Sequence, residues 1–506
     1  MSVDSIAVCI SILLWLVRPQ DWVAGLSGVG LMTYAMLVAI YGLYQRPGSF
    51  TRQQFTRSPT DYLVIAYLAW TIWTTGSWFD LTKAMIPFAA FYFVTALALN
   101  TAERLNRFLA CWMIGLSFTT ALTLCSVYGF EIVTGTEALT QQFLGRLALN
   151  TWIYNNPNSL GHGIVALISA SYVWFIWKRS GAIRLLGVAI IAGAAQVTYL
   201  TQSKGAYLCG AAAITSSIIF RRQKIVQIFT LACVMTAGVG AIKLLPRMEE
   251  LNTNEAGIAG RLMIWQMAYN AMANTKTGEG WKKFEAWIDT EDYGLIHKAT
   301  HGSYVNVGAD LGYVGLMLFV GILYCNYRTL LQAKVDPEQV DLERCQRLLL
   351  SLVVSYSASA WMIDRAYHTD FFILAGAVAA FHRLMVVPSE IQGNIEEKSD
   401  RFPAVNSFQG VSAMTEFKPQ LEGTTQSMTL SLNSMILPET AFSKFRVSNQ
   451  VDSVKIAQTK DDENEDRLSF GLQWRHLQWI DFVSIVALLI LVTSLWHYLM
   501  TSFVSF

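Results

Sequence analysis

The residues of this chain with the means to do chemistry are a few basic side chains and one histidine set between long apolar blocks: Arg146, Lys204, Arg261, Lys282, Arg365 and His301. Arginine presents a planar fork of N–H donors that matches phosphate oxygens two at a time, and lysine adds a point charge. Histidine, with an ordinary pKa of ~6.5, accepts a proton near neutral pH without special tuning. Such a set suits a phosphate-bearing ligand and a hydroxyl that must lose its proton. Each cation also has a plainer use, contact with lipid phosphates at a membrane interface, and Lys282 with its neighbour Lys283 fits that use best.

Arg261 follows Gly257-Ile258-Ala259-Gly260 and opens a stretch in which Trp265 and Tyr269 recur at four-residue spacing. The pattern predicts an amphipathic helix lying on a membrane surface, with Arg261 at its N-terminus where free N–H groups and the helix dipole favour an anion. The aromatic stripe reads as packing rather than as a sugar platform. Thr277-Gly278-Glu279-Gly280-Trp281 then marks a turn; no GK[ST] follows, so no nucleotide loop is expected. His301 lies just before the next apolar block. Asp310, nine residues on, would be two and a half helical turns away, too far to orient it. The alternative for His301 is a cap on the helix that starts near Ser303.

These residues need a scaffold, and composition says which kind. Hydrophobic residues make up 53% and charged residues 14% of the 506 positions, too apolar for a soluble protein, in which charged residues run near ~25%. The apolar residues fall in blocks at roughly 3–17, 29–44, 61–79, 84–99, 108–130, 159–177, 183–200, 205–220, 225–244, 303–325, 348–363, 369–387 and 478–500. Each reads as a helix, because lipid leaves backbone groups no other partner. The expected fold is therefore all-α, a polytopic membrane bundle of about twelve core transmembrane helices plus one C-terminal helix. Met1 to Val17 has no basic n-region and no cleavage site, and reads as the first span.

Clusters of Arg and Lys around 46–57, 104–107, 178–184, 221–224 and 328–347 occupy alternate loops, which the positive-inside rule makes cytoplasmic along with the N-terminus. The external segments are then 131–158, the 201–204 turn, the loop between 363 and 369 and a long, partly helical periplasmic loop at 245–302. The candidate cations all fall there, against the usual bias. Residues 388–475 are polar, with the acidic run Lys460 to Asp466, and predict a mostly disordered cytoplasmic tail before the last helix, 476–506. Lys+Arg (37) nearly balance Asp+Glu (36), so no nucleic-acid partner is implied. The seven cysteines, Cys9, Cys111, Cys125, Cys209, Cys233, Cys325 and Cys345, lack CxxC spacing; neither a zinc site nor a disulfide framework is expected.

Over roughly residues 30–385, within an expected membrane-embedded core of residues 1–387, the sequence resembles the O-antigen ligase family, with which polysaccharide polymerases share a core. The resemblance rests on Gly145-Arg146 followed by Asn156-Pro157-Asn158, Ser203-Lys204-Gly205-Ala206, Gly260-Arg261 with Trp265, Gly278-Glu279-Gly280, and His301 with Asp310-Leu311-Gly312 and Gly315. It implies a metal-independent, cofactor-free, inverting glycosyltransferase of the bacterial inner membrane. The implied reaction moves a preassembled glycan from undecaprenyl diphosphate to lipid A core or another envelope acceptor at the periplasmic face. Arg146, Lys204 and Arg261 would hold the diphosphate, Arg261 and His301 would be catalytic, and His301 would assist the acceptor. Two positions depart from the family pattern: Gly302 stands where Asn is common, and Lys204 where Arg is common, which keeps charge but loses the fork. The alternatives are a polymerase extending lipid-linked glycan, a transporter or flippase, which would place ionisable residues on broken helices, and a scaffold acting through the tail.

Overall fold

The structure, a computed structural model, describes residues 2–131, 138–244, 256–285, 300–386 and 471–503. The described chain is helical apart from one hairpin. Every apolar block became a helix: α1 Val3–Val17, α2 Leu31–Tyr44, α3 Pro59–Thr75, α4 Trp78–Ala98, α5 Ala102–Val127, α6 Pro157–Ser171, α7 Ala182–Thr201, α8 Lys204–Ile219 and α9 Lys224–Leu244. Then come α10 Ala256–Thr275, α11 Ser303–Gln332, α12 Val340–Ser359, α13 Thr369–Met385 and α14 Trp479–Phe503. Six described helices are long and apolar enough to cross a bilayer: α4, α5, α6 with its π-helical continuation to Ile176, α7, α11 and α14. The others are shorter or carry charge: α1 has 15 residues and α2 has 14, and α12 begins with Asp341, Glu343, Arg344 and Arg347.

α1 packs on α2 and α5, α4 on α13, α6 on α7, α8 on α12, and α11 against α3, α10 and α14. The two ends of the bundle differ in chemistry. At one end, buried carboxylates clamp cations across helices. Asp4 accepts from Arg46 (2.9 Å), Asp61 from Arg383 (2.8 Å) and from Tyr92 Oη (2.8 Å), and Glu343 from Lys178 and Arg347 (2.9 Å each). Asp481 at the start of α14 meets Arg328 near the end of α11. The five basic clusters that the positive-inside rule reads as cytoplasmic gather here, because helix direction alternates. Here, too, the chain on either side of residues 387–470 is joined: Leu472 N donates to Met385 O (2.8 Å) and Lys334 exchanges backbone bonds with Gly471. The segment read as a disordered tail lies almost wholly in 387–470, outside the described residues.

α11 is broken at Gly312 (φ 66°, ψ −167°), a conformation open only to glycine. A break inside a buried helix frees carbonyls that lipid cannot satisfy. Here Ala309 O takes Glu279 N (3.0 Å), Asp310 O takes Gly280 N (2.7 Å) and Leu311 O takes Trp70 Nε1 (2.9 Å). The Asp310 carboxylate accepts from Lys282 N (3.1 Å) and Phe284 N (3.2 Å). The 277–281 turn is thus docked on the break, and Gly278 and Gly280 (φ 78° and 106°) let its backbone lie flat there. Asp310 is committed to this seam.

Candidate functional site

The end opposite Asp4, Asp61, Glu343 and Asp481 collects the basic residues that the sequence singles out. An antiparallel hairpin, β1 Thr140–Phe143 and β2 Arg146–Leu149, turns on Leu144 and Gly145, both at positive φ (52° and 75°), a two-residue type I′ turn. It places Arg146 over the N-terminus of α6. Asn156 caps that helix by accepting from Asn158 N (2.8 Å), with Pro157 at the first turn. Arg146 Nη2 then donates to Asn158 Oδ1 (2.8 Å) and its Nε to Thr201 O, the last residue of α7 (2.9 Å). Ser203, the cap of α8, donates to the same Asn158 oxygen (3.0 Å), which sets Lys204 on the first residue of α8. Asn158 is therefore the joint holding Arg146 and Lys204 together.

One of the next two side chains, His162, was not legible as a site residue. His162, one turn into α6 and buried, bonds Ser359 Oγ through Nδ1 (2.9 Å); a lone histidine in an apolar block reads as core. Arg365 stood out as a cation in an external loop, but nothing in the sequence said what it meets. Its Nη2 donates to Ser159 O (3.0 Å), Nη1 to Asp370 Oδ2 (3.3 Å), and its backbone N to Ser303 Oγ (2.8 Å). Arg365 and Arg261 both lie within electrostatic reach of His162.

Arg261 is the sixth residue of α10, so it stands in the second turn and not at the N-terminus; the free N–H groups expected beside it belong to a turn it has passed. The Trp265 stripe below it is packing, as read: Trp265 is buried, its Nε1 donates to Thr300 O (2.8 Å), and its ring lies 6.1 Å from Trp361. His301 is half-buried at φ 49°, immediately before Gly302, which occupies the cap position of α11 without a side-chain bond. His301 is thus not the helix cap. Ser303 N donates to Ala360 O (2.6 Å) and Ser303 Oγ to Ile363 O (2.9 Å), lacing the His301 segment to the 360–365 loop. Lys282 lies over the Trp281 ring at 4.8 Å and within electrostatic reach of His368 and Asp364.

Beneath Arg365 a cavity of about 70 Å³ opens between α1, α5, α6, α12 and α13, lined among others by Trp15, Trp112, Tyr154, His162, His368 and Asp370. That is room for a few waters or a small polar group. Asp370 Oδ1 points into buried space with no hydrogen-bond partner. Burial pushes the His368 imidazole down to about 4, with Arg365 and Lys282 adding to the shift and Asp370 opposing it. Burial and Glu285 push Asp364 up to about 7. Burial also raises Tyr154 to about 12, so it remains a donor.

No protein-family model and no curated protein matches this chain. The site's chemistry must then speak for itself. Among the described residues no cluster of three His, Cys, Asp or Glu side chains could hold a metal ion. What the geometry assembles is an end where basic side chains from four elements meet, the hairpin and α6 cap, the α7–α8 junction, α10, and the 360–368 loop, with His162 and His301 among them and Asp364 and Asp370 beside them.

Proposed function

We propose that this chain is an integral membrane glycosyltransferase that moves a preassembled glycan from undecaprenyl diphosphate to an envelope acceptor such as lipid A core. The observation that carries the reading is the grouping of Arg146, Lys204, Arg261 and Arg365, brought from four separate elements to one end of the bundle. Guanidinium donors aimed at a diphosphate match charge that grows as it leaves. The anomeric carbon gains a bond to the acceptor oxygen as its bond to phosphate breaks with inversion. The electron pair departs on the diphosphate, and His301 takes the hydroxyl proton. In this reading about twelve core helices and α14 span the inner membrane, the N-terminus is cytoplasmic, and the cationic end faces the periplasm. A polymerase extending lipid-linked glycan uses the same end and differs only in the acceptor.

A second reading, a transporter, draws support from α11, where buried Asp310 adjoins a helix break, as at ion-coupled sites. One experiment separates the two. Protein purified in detergent and given lipid-linked glycan and a lipid acceptor is expected to form a new covalent product and release polyprenyl diphosphate, with chelator present. No product from any envelope acceptor, together with flux of glycan across vesicles, would overturn the enzymatic reading.

A further inference from the structure

We infer that the C-terminal helix α14 positions the cationic end, and that it acts through Trp496 on Trp265. α14 is held at two points about 22 Å apart, fifteen residues at helical rise. At one, Asp481 is fully buried and accepts from Tyr324 Oη (2.8 Å), Trp474 Nε1 (2.9 Å) and Gln478 N (2.7 Å) beside Arg328. At the other, Trp496 is fully buried, its Nε1 donates to Trp265 O (3.2 Å), and its ring packs edge-on to Tyr269 (5.5 Å). Gly308 in α11 makes the room: a Cβ there would lie 2.9 Å from Trp496 Cζ3. Between the anchors the helix is largely open, with Ile490 at 59% and Leu491 at 61% exposure, a face suited to lipid.

Trp265 is the hub this contact reaches. It follows Arg261 by one turn, its side chain bonds the carbonyl of Thr300 next to His301, and its ring meets Trp361 in the loop that carries Arg365. A strut fixed at the ion-paired end therefore sets the height of α10 and, through one tryptophan, the relation of Arg261 to His301 and Arg365. Trp496 is a positioning residue; it touches no reacting atom. The activity arm of its test rests on the proposed glycosyl transfer, whereas the structural arm does not.

The test compares full-length wild type, Trp496→Ala and the lipid-facing control Leu491→Ala in nanodiscs. Hydrogen exchange is expected to rise about tenfold over residues 260–275 in Trp496→Ala, with α1–α5 unchanged and the control like wild type. Donor KM is expected to rise about tenfold with a smaller change in kcat, a split that simple loss of folded protein does not produce. Should Trp496→Ala fail to fold, Trp496→Phe, which keeps a ring and removes the donor to Trp265 O, carries the same comparison. Unchanged exchange in α10 overturns the strut, and loosened α10 with wild-type kinetics overturns its positioning role. If wild type itself transfers no glycan, the enzymatic reading fails while the exchange arm still decides whether α14 holds α10.

Discussion

Removing the Arg146 guanidinium has two separable effects. Arg146→Ala removes the donor to Thr201 O and one of the two donors to Asn158 Oδ1, the other being Ser203, which is expected to cost about 1–3 kcal/mol of stability. On the proposed glycosyl transfer it also takes a fork away from the diphosphate, which is expected to slow that reaction by a further ~2–4 kcal/mol, roughly 30- to 1000-fold. Arg146→Lys is expected to recover part of the rate, since charge returns without the fork; wild-type turnover by Arg146→Ala at normal protein level would reduce Arg146 to a strap. Arg146, Lys204, Arg261 and Arg365 stand out in the sequence because cations in loops read as external depart from the positive-inside bias, and His301 because of its place before an apolar block. His162 departs from no such pattern, and its place beside Ser359 depends on two helices meeting that are far apart in sequence. Two neighbours of the site give a pH signature. His368, lowered to about 4 from an ordinary ~6.5, binds its proton less readily when folded, so its contribution to stability is lost as pH falls from 6.5 to 4. Asp364, raised to about 7 from an ordinary ~3.9, binds its proton more tightly when folded, so its contribution is lost as pH rises from 4 to 7. The two oppose between pH 4 and 6.5. Melting temperatures are expected to rise with pH across that window in Asp364→Asn and to fall in His368→Gln; parallel curves in both variants would refute the assignment.

Among the elements, the helices were readable because long apolar runs in lipid admit one structure, although their ends moved by up to eight residues, as where the block at 348 became a helix from Val340. The hairpin was not readable. Its strands are four residues each, and Leu144 occupies a positive-φ position where Asn or Gly would have signalled the turn. Nor could apolar run length reveal the break in α11, since Gly312 lies inside an uninterrupted block and its purpose depends on a turn some thirty residues earlier in the chain. Gly312→Ala is expected to destabilise the fold by ~3 kcal/mol or more, because its Cβ would strike the Lys276 carbonyl and its backbone region excludes side chains. Gly238→Ala, in open space on α9, is the neutral control. Thermal melts that leave Gly312→Ala within about 1 kcal/mol of wild type would mean α11 runs straight.

For the molecule as a whole, the asymmetry between its ends predicts orientation. In a cysteine-free background, Leu144→Cys is expected to react with an impermeant thiol reagent added outside spheroplasts, and Lys224→Cys only after lysis. The reverse pattern would place that end in the cytoplasm and count against the proposed transfer from a translocated donor. The junction of Leu472 with Met385, and of Gly471 with Lys334, bears on covalent continuity. Because the chain leaves and re-enters the bundle at one spot, peptide bonds within 387–470 do not determine where α14 sits. Asp481 and Trp496 do. Two separate polypeptides, one ending near residue 390 and the other starting near 468, are accordingly expected to reassemble when co-expressed, the small piece co-purifying with the large, and Asp481→Ala in the small piece is expected to part them. The protein is in that sense bipartite, two molecules' worth of recognition written into one chain.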